Sequence, residues 1–469
     1  MLRILSASFL YILLILSSSF ARAERAYILD SDQEALQARM DLIQQAKKEI
    51  LVEYFSVTDD NTATTAIAQL CQASKRGVKV RVLMDALSHW VKDVTVAAAY
   101  QTCRDANGNL NIEFRLFNPG NLLQPSTLLY RDHGKMLNID GEKMITGGRN
   151  VAGKYFGLDK ERNFIDIDIL IEGPVAAKAR TYFDRLWNNF TNVKPFSLHE
   201  YDAEKLDEEC DYNDENAQCE YNKQQRREDI KKSVDRFNKL LVHPESGLNF
   251  SLAQSSHDWL QKAKRVTGAR FVSNLADREV GEKNQVISTE IYKAMNKAKK
   301  NILILSPYLI PTPRLRHLFE ELRSRGVKIT IVTNSLKSTD NILAQAGYRD
   351  SKDEMIALGI ELYEFNIVHT THAKATVIDD KTVWIGTYNL DPRSEKINRE
   401  VGIIIEDQEN SGIAKDLTGI IEKFKKNSLL VGKNGVPQNL ELQNKDVGTF
   451  KKSLVKILEQ GATLYKDQL

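Results

Sequence analysis

The chain is poor in everything that would mark a fibrous polymer, a disordered segment or a strongly basic nucleic-acid binder. Its 469 residues include four cysteines, 10 prolines and 24 glycines, and 65 Lys and Arg are offset by 63 Asp and Glu. So little Pro and Gly excludes collagen-like and low-complexity chains. A formal net charge of +2 supplies no global field to attract nucleic acid, so any basic site must be local. Past the N-terminus, no stretch approaches the ~18 consecutive apolar residues of a membrane span. With 42% hydrophobic residues, what remains is a globular chain long enough for about three domains, or two large ones.

The one long apolar run lies at the start. Met1, Leu2 and Arg3 precede a mainly apolar stretch from Ile4 to Leu16, and Ala21-Arg22-Ala23 stands before Glu24. This pattern predicts a secretory signal peptide over residues 1–23, removed after Ala23, and an exported, periplasmic or secreted product without an anchor. In such an oxidising space the cysteines are expected to pair. The acidic, turn-rich segment between Cys210 and Cys219 favours a local clip, leaving Cys71 with Cys103. No C-x-x-C spacing or neighbouring His supports zinc.

An internal repeat runs through the rest. Ala46-Lys47-Lys48-Glu49-Ile50-Leu51 matches Ala298-Lys299-Lys300-Asn301-Ile302-Leu303, and Arg76-Gly77-Val78-Lys79-Val80 matches Arg325-Gly326-Val327-Lys328-Ile329. Each copy reads as amphipathic helices alternating with short, near-continuous apolar strands, the pattern of a sheet buried on both faces. The expected fold class is α/β: two similar halves, each a mixed β-sheet flanked by helices, packed about a pseudo-two-fold axis. We place the first half at residues 24–198, a charged linker at 199–240, and the second half, with a helical tail near 447–460, at 241–469. The linker's acidic then basic composition predicts a solvated excursion.

Each copy carries H-x-K-x-x-x-x-D: His133, Lys135 and Asp140, then His372, Lys374 and Asp379. Chance predicts about 0.15 such matches in the whole chain. Both motifs continue into a Gly turn ending in Asn, Gly147-Gly148-Arg149-Asn150 and Gly386-Thr387-Tyr388-Asn389. In a strand, residues i and i+2 share a face, so each His and Lys project together. Each Asp precedes or sits in a turn-forming pair, which gives it a structural role in the turn. Two His, two Lys and two Asn converging on one pocket suit the oxygens of a phosphodiester. One imidazole can attack phosphorus while the other, protonated, donates to the departing oxygen. Each needs an acceptor on its second nitrogen, and the expected partners are Glu400 for His372 and Asp166 for His133. The remaining histidines (His89, His199, His243, His257, His317, His369) show no repeated spacing and read as surface or core residues.

On these motifs, with Ser306-Pro307-Tyr308, Thr333-Asn334-Ser335-Leu336, Leu390-Asp391-Pro392-Arg393-Ser394 and Asn398-Arg399-Glu400, the chain resembles the phospholipase D superfamily, specifically its bacterial cardiolipin synthase and phospholipase D-like branch. The resemblance implies a phosphatidyl-histidine intermediate, no obligatory metal or other cofactor, a glycerophospholipid substrate, and transfer to water or an alcohol. It implies His133 as nucleophile and His372 as general acid and base, with the site complete in one chain. Two departures stand out. Phe164-Ile165-Asp166 replaces the Asn-Arg-Glu of the second copy, and a cleavable leader replaces the membrane anchor of the better-known cardiolipin synthases. The Leu-rich stretch Leu122-Leu123 and Leu128-Leu129 before His133 is either core or a contact with acyl chains and the membrane surface. Competing readings are a secreted nuclease of the same superfamily and an inactive membrane-binding module; the near-zero net charge and two complete motifs weigh against them.

Overall fold

A computed structural model describes residues 24–120, 125–202, 206, 216–248, 258–275, 285–432 and 449–460. The leader at 1–23 and Cys210 lie outside the described residues, as does His257.

Ten strands build the first sheet and the inter-half crossing: β1 (Glu24–Leu29), β2 (Glu49–Tyr54), β3 (Lys79–Asp85), β4 (Ile112–Phe117), β5 (Lys135–Ile139), β6 (Lys143–Gly147), β7 (Phe164–Ile165), β8 (Asp168–Glu172), β9 (Val193–Pro195) and β10 (Lys264–Val266). The second half supplies β11 (Ala269–Ser273), β12 (Asn301–Leu305), β13 (Lys328–Asn334), β14 (Glu361–Phe365), β15 (Thr370–Thr371), β16 (Ala375–Ile378), β17 (Thr382–Gly386), β18 (Val401–Glu406) and β19 (Ser428–Leu430). Their orders are β10-β1-β8-β6-β5-β2-β3-β4-β9 and β11-β18-β17-β16-β12-β13-β14-β19. In each sheet three strands run parallel, β2-β3-β4 and β12-β13-β14, and the His–Lys strand, β5 or β16, joins them antiparallel. The repeat read from the sequence is therefore a repeat of topology. A third, two-stranded sheet pairs β7 of one half with β15 of the other.

Helices cover the sheets: α1 (Asp32–Gln45), α2 (Asn61–Lys75), α3 (Asp93–Thr102), α4 (Pro174–Trp187), α5 (Asn216–Val242), α6 (Val286–Asn296), α7 (Pro313–Ser324), α8 (Ile342–Ala357), α9 (Pro392–Lys396), α10 (Ile413–Lys426) and α11 (Thr449–Gln460). One apolar cluster joins the halves, with Leu51, Met136, Ile169 and Phe183 of the first against Val332, Val377, Ile403 and Leu417 of the second. Separate clusters fill the outer faces. Strands buried on both faces explain why their sequences are apolar without alternation.

Three expectations need correction here. The 199–240 segment is not simply a solvated excursion: α5 packs on the first half, burying Ile230, Phe237 and Leu240. The reason is a stripe at helical spacing, Ile230, Val234, Phe237 and Leu241, which a tally of charges conceals. The seam between the sheets falls between β10 and β11 rather than at 240/241, because Lys264–Val266 pairs with β1. The third concerns the orienting carboxylates and is reported with the site. Cys71 and Cys103 are bonded to each other as expected, tying the end of α2 to the residue after α3. Cys219 is also disulfide-bonded.

Candidate active site

His133 sits just before β5 and His372 just before β16, at the edge of each sheet where the parallel strands end. Their loops interlock. Asp132 bridges Arg399, and the His133 backbone N–H donates to Arg399 O at 2.9 Å; symmetrically, Thr371 pairs with Ile165 and the His372 N–H donates to Ile165 O at 2.9 Å. Each half thus delivers its histidine onto the strand that carries the other half's carboxylate.

That crossing overturns the expected pairing. His133 Nδ1 meets Glu400 Oε2 at 2.9 Å, and His372 Nδ1 meets Asp166 Oδ2 at 2.8 Å. The carboxylates are the ones named from the sequence, but each serves the histidine of the opposite half. The physical reason is the two-fold: strands that continue past the site leave their own histidine behind and reach the partner's. Both Nδ1 atoms are thereby held by a carboxylate, which sets the orientation of each ring.

The two lysines converge as expected. Lys135 and Lys374 are each 1% exposed. Lys135 Nζ donates to His133 O at 2.8 Å and lies over the Phe55 ring, 5.1 Å from its centroid. Lys374 Nζ lies 3.2 Å from His372 Nε2. Burial, and then mutual repulsion with Lys374, pushes Lys135 down to about 7; burial pushes Lys374 down to about 8 against the pull of Asp166 and Glu400. The His133 imidazole is held well below its ordinary value by burial and by the charges of Lys135 and Lys374, and His372 is lowered by burial and Lys374 while Asp166 pulls it back up.

The carboxylates themselves differ. Burial lifts Glu400 to about 8, only partly opposed by Lys135 and by hydrogen bonds from Thr387 and Ser394. Asp166 is equally buried, yet its bond to His372 and the charges of His372, Lys374 and Arg149 outweigh burial and hold it below the usual carboxylate range. The two contacts are therefore unequal: burial works against the charge on Glu400, while the charges beside Asp166 work for it.

The other residues of the motifs have separate places. Asp140 and Asp379 are not catalytic groups. Each lies at the far end of its strand, about 17 Å from the lysine at ~3.3 Å per residue. Asp140 accepts from the backbone N–H groups of Lys47, Lys48 and Glu49, and Asp379 from those of Lys299, Lys300 and Asn301. Both stand at positive φ, 58° and 52°, where a short polar side chain is tolerated and can tie down the adjoining chain. Asn150 is a brace as well as a wall of the site: its Oδ1 accepts from Ser56 N and its Nδ2 donates to Tyr155 OH. Asn389 Oδ1 is buried without a partner. Several contributors escaped sequence reasoning. Phe55 and Tyr155 pack edge-on against His133 and His372, at 4.8 and 5.3 Å. Thr387 and Ser394 donate to Glu400. Ser394 is legible only as part of a family segment, carried in by the five-residue α9, whose N-cap is Asp391. His199 bonds Asp93, His317 is exposed and His369 accepts from Asn163 N; none touches the catalytic pair. No cluster of metal-ligating side chains occurs among the described residues.

Duplicated sheets that meet at paired His–Lys motifs define an enzyme of the phosphodiesterase and phosphatidyltransferase class. Comparison with known proteins then narrows the class. The family described as cardiolipin synthase, PLD-like domain, matches residues 40–187 and 291–425. Cardiolipin synthase C of Escherichia coli is 30% identical over 429 residues, spanning 81% of this chain and 81% of its own. An uncharacterized Helicobacter pylori protein is 27% identical over 408 residues, spanning 81% of this chain and 76% of its own. The crystal structure of phosphatidylserine synthase from Haemophilus influenzae shares the fold, with a TM-score of 0.64 and 16% identity over 97% of this chain and 99% of that one. The chain belongs to the cardiolipin synthase, PLD-like domain family, within the phospholipase D superfamily.

Proposed function

We propose that the protein cleaves the phosphodiester of a glycerophospholipid through a phosphatidyl-histidine and passes the phosphatidyl group to an alcohol or to water. His133 Nε2 attacks phosphorus, the bond from phosphorus to the headgroup oxygen breaks, and His372 gives its Nε2 proton to that oxygen. His372 then takes the proton of the incoming hydroxyl, whose oxygen displaces His133 and restores both imidazoles. Lys135 and Lys374 supply positive charge to the phosphate oxygens in a site shielded from water.

The observation that carries this reading is the unequal pair of crossed contacts. Each carboxylate holds the Nδ1 of the opposite half's imidazole, which orients both rings with Nε2 available for the phosphodiester; burial and two adjacent lysines hold His133 lowest, which suits an attacking lone pair, while Asp166 pulls His372 back up, which suits the acid. Export rests on the leader pattern and is supported by the Cys71–Cys103 bond, since such bonds persist in oxidising compartments. Contact with a membrane surface is part of the same proposal. Trp90 and Leu129 are 68% and 39% exposed on loops at the sheet edge that carries His133.

The test is incubation of the mature protein with vesicles of phosphatidylethanolamine and phosphatidylglycerol plus glycerol, with lipid products read by mass spectrometry. Phosphatidic acid reports hydrolysis, and cardiolipin or a new phosphatidyl alcohol reports transfer. Both His133→Ala and His372→Ala should abolish product, and His372→Ala alone should retain any acid-labile phosphatidyl adduct. Cleavage of single-stranded DNA by wild type, with no lipid product, would replace this reading with a nuclease.

A further inference from the structure

The surroundings of the two histidines are electrically lopsided. On the His133 side stands Arg393, whose charge acts on that imidazole and whose guanidinium donates to Leu129 O at 3.0 Å. On the His372 side stands Asp340, an exposed carboxylate on the loop after β13. Its charge acts on both His372 and Lys374. The Tyr308 hydroxyl donates to its two oxygens at 3.0 and 3.1 Å and fixes the group. Tyr155, edge-on to His372, lies within the field of the same carboxylate.

Among the described residues Asp340 forms no ion pair. Arg162 and Lys451 both feel its charge, but Arg162 donates to Thr370 Oγ1 and Ser338 O, and Lys451 donates to Thr339 O. A carboxylate accepts up to about four hydrogen bonds, and among the described residues this one is braced by a single hydroxyl. Nor is it part of the repeated framework: counting from the ends of β3 and β13, Val91, 4% exposed, occupies its place in the first half.

The mechanism above says what would arrive there. In-line displacement puts the leaving oxygen opposite the nucleophile, so with His133 attacking, the headgroup alcohol departs on the His372 side, and the acceptor alcohol enters by the same door. We propose that Asp340, braced by Tyr308, is the subsite for that alcohol, accepting a hydrogen bond from a donor beyond the reacting hydroxyl, either a second hydroxyl or an ammonium. The inference rests on the lipid-transfer reading and names the residue that selects its alcohol.

A competition experiment isolates the subsite. Full-length mature protein acts on phosphatidylglycerol vesicles in a mixture of ethanol, deuterium-labelled glycerol and ethanolamine, and the ratio of phosphatidyl products is measured, the label separating new phosphatidylglycerol from the donor lipid. All three products partition from one phosphatidyl-enzyme, so the ratio is independent of how much protein folds and how fast the donor lipid is cleaved. Ethanol has no second donor and serves as the internal reference. In Asp340→Ala, glycerol or ethanolamine product should fall about tenfold relative to ethanol product, the scale of a hydrogen bond to a charged acceptor. Asp340→Asn distinguishes the two donors, since the neutral amide oxygen restores glycerol transfer more than ethanolamine transfer. Tyr308→Phe should move the ratio in the same direction by a smaller factor. An unchanged ratio in an active Asp340→Ala variant overturns the subsite alone. Wild type that acts on no lipid overturns the subsite together with the function it serves.

Discussion

The two halves share one catalytic geometry and back it with opposite materials. Behind His133 stand Asp85, Arg131, Asp132, Glu53 and Arg399, all charged types; at the matching places behind His372 stand Asn334, Thr370, Thr371, Leu305 and Ile165. Glu53 and Asp132 are both fully buried, with the Glu53 carboxyl pushed well up by burial and by the Asp132 charge. Small residues absorb the differences. Gly134 leaves the volume that Glu53 fills, where the second half has Ala373 against apolar neighbours. A Cβ at Gly148 would overlap Asp166, whereas Thr387, at the matching turn, donates to the longer Glu400. The difference teaches that duplication preserved the positions of His, Lys and carboxylate while their surroundings became unequal, which is the basis on which we propose that the two histidines divide the labour.

The hardest test of that division exchanges charge for shape in the crossed carboxylates. Asp166→Asn removes the anion that orients His372 and pulls it up against burial, and should lower kcat by about 10³-fold, comparable to loss of an orienting carboxylate in other His-dependent sites. Glu400→Gln should cost far less, about tenfold, because burial already works against the charge on Glu400 and lifts it to about 8, and an amide copies its shape. Single-turnover rates at pH 7 decide between them. Equal losses would mean that the halves are electrically equivalent and that the division of roles fails.

Next in size is the staple present in one half only. The Cys71–Cys103 bond closes a segment of sequence separation 32, and loop closure of that length stabilises a fold by about 3 to 4 kcal/mol in the chain-entropy account. At the position matching Cys71 the second half has Glu320. A Cys71→Ala/Cys103→Ala variant should lose protection from hydrogen exchange across α2, α3 and β2–β4, and much less across α7, α8 and β12–β14. Uniform loss would show that the halves unfold as one unit. A smaller, paired effect tests the buried acids: Gly134→Ala must displace Glu53 and should cost about 2 kcal/mol by chemical denaturation. The reverse change Ala373→Gly should cost no more than about 1 kcal/mol, through backbone freedom.

Much of this was legible in the sequence, for identifiable reasons. Repeated helix-to-strand junctions at Ile50 and Ile302 reveal the two sheets, and the spacing of His133 to Lys135 and His372 to Lys374 fixes two pairs that must share a face. Asp140 and Asp379 belong to the motif that marks the catalytic residues, yet turn chemistry reads them as structural, and each ties down backbone N–H groups at a helix-to-strand junction. Pairing across the two-fold was not legible, because spacing along one chain carries no information about which half's strand meets which histidine. Asp166 and Glu400 were therefore found and their partners interchanged. The α5 helix was hidden by its charges, although Ile230, Val234, Phe237 and Leu241 carry a helical period. Phe55, Tyr155, Thr387 and Asp340 had no local signal, since each becomes part of the site only when distant loops close over it.

The mildest contrast lies between the two lysines, at about 7 for Lys135 and about 8 for Lys374. A difference of one unit corresponds to about 1.4 kcal/mol, or tenfold in the fraction protonated. If both ammonium groups serve the phosphate, kcat/KM, which reports the free enzyme, begins to fall near pH 7 and falls more steeply past pH 8. Lys135→Arg keeps its charge at any accessible pH and should leave only the later limb, near 8, whereas Lys374→Arg should leave only the earlier one. Stability should move the other way. Both lysines lie below their ordinary 10.5, so between about pH 8 and 10 the unfolded chain binds more protons than the folded one, and stability rises with pH. Glu400 acts oppositely, since its raised value makes the folded chain hold the extra proton and lose stability as pH climbs from about 4.5 to 8. Above pH 8 the lysines should dominate this part of the balance, so Tm rises there while kcat/KM falls. A parallel fall of both would mean that the alkaline loss is unfolding, and that the lysines hold no neutralising charge at the phosphate.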